Sequence, residues 1–223
     1  MFFLLDNKAK VIFGWSAKCG CTHVKRIFRF LQNQNIYDVH TEDDVHNLPD
    51  DIENYKTIII SRNPYKRLVS GFLDKYRKNG EFRHLWKDTI TFSKFINELV
   101  KNDWKMCDRH HFIPQTKDDF DERIIESKCI CYDIENIDYN HIEKIFNVKI
   151  PEEVLQIKQG HERKKYDFDF DEYVYDLDMD IYYDFNVDTK YFYNDELKKK
   201  VYEFYKDDFV FFEKFGIDYE NLL

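Results

Sequence analysis

Between Lys10 and Trp15 the chain reads KVIFGW, an apolar run of strand length, and then breaks into the small and polar SAKCGC. Past the break, Val24, Ile27, Phe28 and Leu31 return at the spacing of one helical face, so the segment predicts strand, loop, helix. NQNIYDVH (33–40) predicts a second short strand. YKTIIIS (55–61), apolar and β-branched, predicts a buried strand of a parallel sheet. Asn63 suits the cap of the next helix and Pro64 its first position, with Tyr65, Leu68, Val69, Phe72, Leu73 and Tyr76 facing inward. Thr91 caps a further helix carrying Phe95, Ile96, Leu99 and Val100, and KCICYDI (128–134) predicts another buried strand. From Asn194 to Phe215 the pattern predicts one long helix, inward through Leu197, Val201, Phe204 and Tyr205 and stopped at Gly216. Strands alternating with helices predict an α/β fold, a parallel sheet covered on both faces. With no internal repeat and no Gly/Ser-rich linker, residues 1–223 read as a single domain.

Composition narrows the function classes. A hydrophobic share of 43% with 18% aromatics supports a real core, and a net charge of −9 argues against a general nucleic-acid binder. The leading MFFLLD is too short for a secretory apolar region or a membrane span. Five cysteines, an odd number in a chain of this length, do not imply a disulfide framework, so reduced thiols and a cytoplasmic, soluble chain are expected. Between 166 and 188 lies YDFDFDEYVYDLDMDIYYDFNVD, acidic and aromatic without Lys or Arg. It reads as a strand with one wet face or as an irregular insertion packing its aromatics, some of which could line a groove.

Two stretches carry candidate chemistry. In SAKCGCTHV a helix N-terminus offers unpaired N–H groups and the positive end of its dipole. Gly20 permits close backbone approach, Lys18 adds a full charge and Thr22 a hydroxyl. This is a phosphate cradle in composition or a plain strand–helix turn. It is not the nucleotide triphosphatase loop, because Lys18 precedes Gly20. In SRNPYKRLVSG (61–71), Arg62 stands at the carboxyl end of a strand and Ser70 lies in the following helix, so the pair suits a second phosphate, whereas Arg67 reads as an ordinary surface charge. Together they describe two anion sites at two strand ends.

KCGCTHVKRIF followed by IIISRNPYKRLVSGFLDKY resembles the cofactor signatures of sulfotransferases that use 3′-phosphoadenosine 5′-phosphosulfate (PAPS). The branch most similar is that of the Golgi carbohydrate sulfotransferases acting on chondroitin, dermatan and the HNK-1 glycan. TFSKFINELV, RHHFIPQ (109–115) and VYEFYKDDFVFFEKFG (201–216) follow in that branch's order. The resemblance implies a P-loop-like α/β sulfotransferase domain moving sulfuryl from PAPS to a hydroxyl, most naturally of a carbohydrate, without a metal. It implies that Lys18, Cys19, Gly20, Cys21 and Thr22 bind the 5′-phosphosulfate, that Arg62 and Ser70 bind the 3′-phosphate, and that Lys18 steadies the bridging oxygen as sulfuryl leaves. Ala17, Asn63 and Lys66 depart from the family pattern, and the membrane anchor of the Golgi enzymes is not seen.

The reaction also calls for a general base, and histidine is the natural one. His46 and His40 fall in the interval where related heparan-type enzymes carry a basic residue, and His111 in HHFIPQ is the alternative; most of the eight histidines have ordinary structural roles. Cys19-x-Cys21 and Cys129-x-Cys131 could supply four thiolates to zinc, but the single-residue spacing is uncommon and both pairs adjoin expected strands, where cysteine acts as a small hydrophobe. QGHERKKY (159–166) is a basic patch, either an arm over anionic groups or a solvated loop. Two other readings stand beside the enzyme: a sulfotransferase-like binding module without activity, and a nucleotide kinase.

Overall fold

A computed structural model of the chain describes residues 1–39, 48–116, 120, 122–125, 127–156, 173–182 and 187–220. Along the chain lie β1 (Phe2–Asp6), β2 (Val11–Trp15), α1 (Cys21–Leu31), β3 (Lys56–Ser61), α2 (Pro64–Lys75), α3 (Phe92–Leu99), α4 (Arg109–Phe112) and β4 (Lys128–Asp133). There follow α5 (Tyr139–Phe146), α6 (Glu152–Leu155), α7 (Met179–Tyr182), α8 (Asp195–Phe204) and α9 (Lys206–Glu213). The chain forms two compact units. The first holds Met1–Arg62, Gln115–Lys158 and Lys214–Ile217; the second holds Asn63–Pro114, Gln159–Glu213 and Asp218–Leu223.

The first unit is built on a four-stranded sheet in the order β1-β2-β3-β4. β2, β3 and β4 run parallel, with Phe13 beside Ile58 and Ile58 beside Ile130, while β1 pairs antiparallel with β2. Strand periodicity sorts the side chains. Val11, Phe13, Trp15, Ile58 and Ile60 join Val24, Ile27 and Phe28 of α1, Ile142 of α5 and Val154 of α6 in one core. On the opposite face Phe3 and Ile12 meet Leu48, Ile52, Tyr55 and Ile124, so in this unit 3-10 turns at Ile52–Asn54 and Glu122–Ile125, not long helices, contribute the cover. The sheet is thus α/β and mostly parallel, as expected. Phe2–Asp6, within the leading MFFLLD, is its antiparallel strand β1.

Two strand expectations change. The described part of NQNIYDVH is not a strand. Asn33 takes a left-handed φ of 53°, its N–H donates to Phe30 O (3.0 Å), and Gln34 N–H donates to Arg29 O (2.8 Å), so these residues close the end of α1 as a Schellman motif. β4 is half-buried, an edge strand rather than a buried one, because among the described residues it has a strand neighbour on one side only.

The second unit is helical and aromatic. The face expected of α2 is buried, and Phe72 packs edge-on to Phe92 of α3, with ring centres 5.2 Å apart. Phe95 meets Phe112 of α4 at 4.9 Å. Asn63 and Thr91 cap α2 and α3, as their positions suggested. The long helix expected over 194–215 is broken at Tyr205, whose carbonyl accepts from Asp208 N (2.9 Å) and whose hydroxyl donates to Phe112 O (2.6 Å). α8 ends there, and α9 resumes with Asp208, Phe209, Phe211 and Phe212 buried before Gly216 at φ 74°. Arg67 is not a surface charge. It is 1% exposed, and its guanidinium donates to Ile113 O at 2.8 Å. The described part of the acidic aromatic stretch is irregular apart from α7 and not a strand, with Val174 N–H donating to Tyr191 O (2.8 Å) and Met179 N–H to Ile90 O (2.9 Å).

Candidate functional site

In the first unit the loop after β2 is shaped by two left-handed residues, Lys18 at φ 67° and Gly20 at φ 71°. Cys19 N–H donates to Ser16 O (3.1 Å), which tightens the turn. Gly20 is then the N-cap of α1, and Val24 N–H donates to its carbonyl at 3.0 Å. Only glycine suits this position twice over. Its φ disfavours a side chain, and a Cβ there would lie 2.5 Å from Ile134 Cδ1. No side chain caps α1, so its first-turn N–H groups present their donors without a competing cap. Thr22, in that first turn, is exposed, and Cys21 is half-buried against the α1 side of the core.

Arg62 stands just past β3, and the two predicted motifs meet through it: Arg62 Nη1 donates to Lys18 O at 3.1 Å. A residue that the sequence reading did not single out binds both. Gln115, 1% exposed, accepts at Oε1 from Cys19 Sγ (3.0 Å) and from Arg62 N–H (3.2 Å), and its Nε2 donates to Arg62 O (2.9 Å). It closes the RHHFIPQ segment, and hydrophobic periodicity carries no signal for a buried glutamine. The Cys19 thiol is thus turned onto Gln115. Ser61 Oγ lies 3.4 Å from Cys131 Sγ, and burial pushes the Cys129 thiol up to about 12 and that of Cys131 higher still. All five cysteines are free, and among the described residues no His, Cys, Asp and Glu cluster is arranged to hold a metal.

Ser16 and His23 flank the loop. Ser16 is 3% exposed, and its Oγ has no hydrogen-bond partner among the described residues. His23 Nε2 pairs with Tyr139 OH at 2.8 Å; burial, with the positive charge of Arg26 added, pushes its imidazole down to about 4. His23 is therefore neutral near pH 7.

The second unit holds the other predicted residues. Ser70 is half-buried in α2. His111 ends up at the close of α4, where Asp108 is the cap. His111 N–H donates to Asp108 Oδ2 (2.9 Å), and the imidazole Nδ1 pairs with the same oxygen. Asp108 was readable as the cap of RHHF from its position alone, though not as the partner of the ring. Burial acts to raise the Asp108 carboxyl, but the bonds from His111 outweigh it and hold it below the usual carboxylate range. Burial pushes the neighbouring His110 down. His40, His46 and the basic patch 159–166 lie outside the described residues.

Chemically, the first-unit loop joins helix-end N–H donors, a lysine, an arginine and an orphaned buried hydroxyl. This donor set fits a ligand rich in phosphate or sulfate oxygens. A family model described as "Sulfotransferase family" matches residues 2–215, through both compact units. No match was found among curated proteins or among solved structures.

Proposed function

The chain belongs to the sulfotransferase family, and on that premise we propose that it moves the sulfuryl group of PAPS to a hydroxyl of a carbohydrate, residues 1–223 acting as one sulfotransferase domain. The observation that carries this reading is the bond from Arg62 Nη1 to Lys18 O, which ties the first residue of the second motif to the loop of the first within one unit. The orphaned Ser16 Oγ and the uncapped start of α1 fit a donor with many acceptor oxygens.

When bound, PAPS supplies an activated sulfuryl group on a phosphate leaving group. The residues that would hold its 5′ end are Lys18 to Thr22, through the loop backbone, the Lys18 ammonium and the Thr22 hydroxyl, while Arg62 and Ser70 would hold the 3′-phosphate. Lys18 opposes the negative charge that grows on the leaving oxygen, a preorganised electrostatic role. We place the base at His111. Asp108 on Nδ1 fixes the tautomer that leaves Nε2 free of a proton and able to take one from the acceptor hydroxyl. His46 and His40 are the alternatives that the test separates. Free thiols at all five cysteines suit a reducing, cytoplasmic setting, and among the described residues no helix is long and apolar enough to cross a membrane.

The test is label transfer from radiolabelled PAPS to a panel of glycans, tyrosine peptides and phenols. Transfer to glycans is the expected result. Transfer to peptides or phenols alone would overturn the carbohydrate assignment. Binding of adenosine 3′,5′-bisphosphate without any transfer would point to the binding module.

A further inference from the structure

The chain leaves the first unit after Arg62 and re-enters it at Gln115, and these two residues are bonded to each other twice. The same carboxamide holds the thiol of Cys19, in the middle of the loop between β2 and α1. We propose that Gln115 is a positioning residue for the donor loop. It locks the loop and the end of β3 in one register, so that the Arg62 guanidinium reaches the Lys18 carbonyl and Lys18 is held in its left-handed conformation. The proposal rests on the PAPS reading for its functional meaning, although the clamp itself can be tested without a ligand.

The chemistry of glutamine is specific to this place. Oε1 accepts twice and Nε2 donates once, so one side chain satisfies the N–H and the carbonyl of Arg62 together with a buried S–H. Glutamate would keep the acceptor and lose the donor, setting a carboxylate oxygen against the Arg62 carbonyl. Methionine would keep the volume and make none of these bonds, leaving the half-buried backbone groups of Arg62 without Gln115 as a partner. Arg62 would then no longer be tied to Cys19 through one rigid group. The loop, whose left-handed Lys18 is costly for a residue with a Cβ, would relax.

The experiment compares wild type, Gln115→Glu and Gln115→Met at a temperature where all three are folded. Two readings are taken: the Kd of adenosine 3′,5′-bisphosphate, and the rate of iodoacetamide labelling at each cysteine by peptide mapping. Cys129 in β4 and Cys107 in the second unit report general loosening of their units. The expected result is a Kd raised about tenfold in Gln115→Met and less in Gln115→Glu, with Cys19 labelling raised about fivefold over the change at Cys129 and Cys107. Cys19 rising no more than the two control cysteines would overturn the clamp, as would a Kd within twofold of wild type. Should wild type fail to bind the bisphosphate, the PAPS reading falls, and selective exposure of Cys19 still decides the clamp. Should Gln115→Met not fold, Gln115→Glu carries both readings alone.

Discussion

His23 lies in the first turn of α1, just after the loop from β2, yet its imidazole faces Tyr139 and is held neutral by burial. Its folded pKa of about 4 lies below the ordinary 6.5, so between these values the unfolded chain binds the proton more readily than the folded one. The stability contributed by neutral His23 is complete above pH 6.5 and is lost as pH falls toward 4, by up to about 3 kcal/mol. Urea unfolding at pH 4.5 and 7.0 checks this. Wild type should lose stability at the lower pH, and His23→Gln should lose markedly less; parallel losses would contradict it. At this scale the sequence was informative where chemistry is local. Gly20, Lys18 and Arg62 could be picked out because strand ends and helix starts are marked by composition. Gln115 and Asp108 were not picked out, because their roles come from partners that only the folded chain defines: Cys19 and Arg62 for one, the His111 ring for the other. Arg67 was misread for the same reason, since nothing local signals an arginine buried against a backbone carbonyl.

Among elements, α2 begins at a departure from the signature that the chain resembles. Asn63 is its N-cap. Its Oδ1 accepts from Tyr65 N–H (2.9 Å) and Lys66 N–H (3.3 Å), while its Nδ2 donates to Tyr219 O (3.1 Å). An aspartate would cap as well but could not donate. Asn63→Asp should therefore cost about 1–2 kcal/mol in urea unfolding and Asn63→Ala about 2–3 kcal/mol; an aspartate variant as stable as wild type would refute this account of the position. α4 carries a second prediction. His111→Ala should lower kcat by about 10²–10⁴-fold while leaving bisphosphate affinity in place. If kcat is unchanged, the base is elsewhere, with His46 and His40 next. The long helices and central strands were legible because each repeats its pattern over several turns or pairs. The break at Tyr205 and the stop at Asn33 were not, since one is set by a tertiary hydrogen bond and the other by a φ that asparagine adopts only in context.

For the whole molecule, a mostly parallel sheet flanked by helices and a family match running over residues 2–215 agree on a sulfotransferase. The carbohydrate acceptor and PAPS rest on the two motifs and on the resemblance that they carry. Neither motif alone would have distinguished a sulfuryl donor from other phosphorylated nucleotides, whereas two proposed anion sites, one after β2 and one beginning at the end of β3, with Lys18, Arg62 and Gln115 bonded between them, suit a donor with phosphates at separate positions. The most direct measurement of this claim is turnover of radiolabelled PAPS by wild type and by Lys18→Ala, each shown to be folded by its thermal transition. Wild type should transfer label to a hydroxyl acceptor, and Lys18→Ala should lose at least about 10²-fold in kcat while remaining folded. Full turnover by Lys18→Ala, or neither transfer nor bisphosphate binding by wild type, would contradict it.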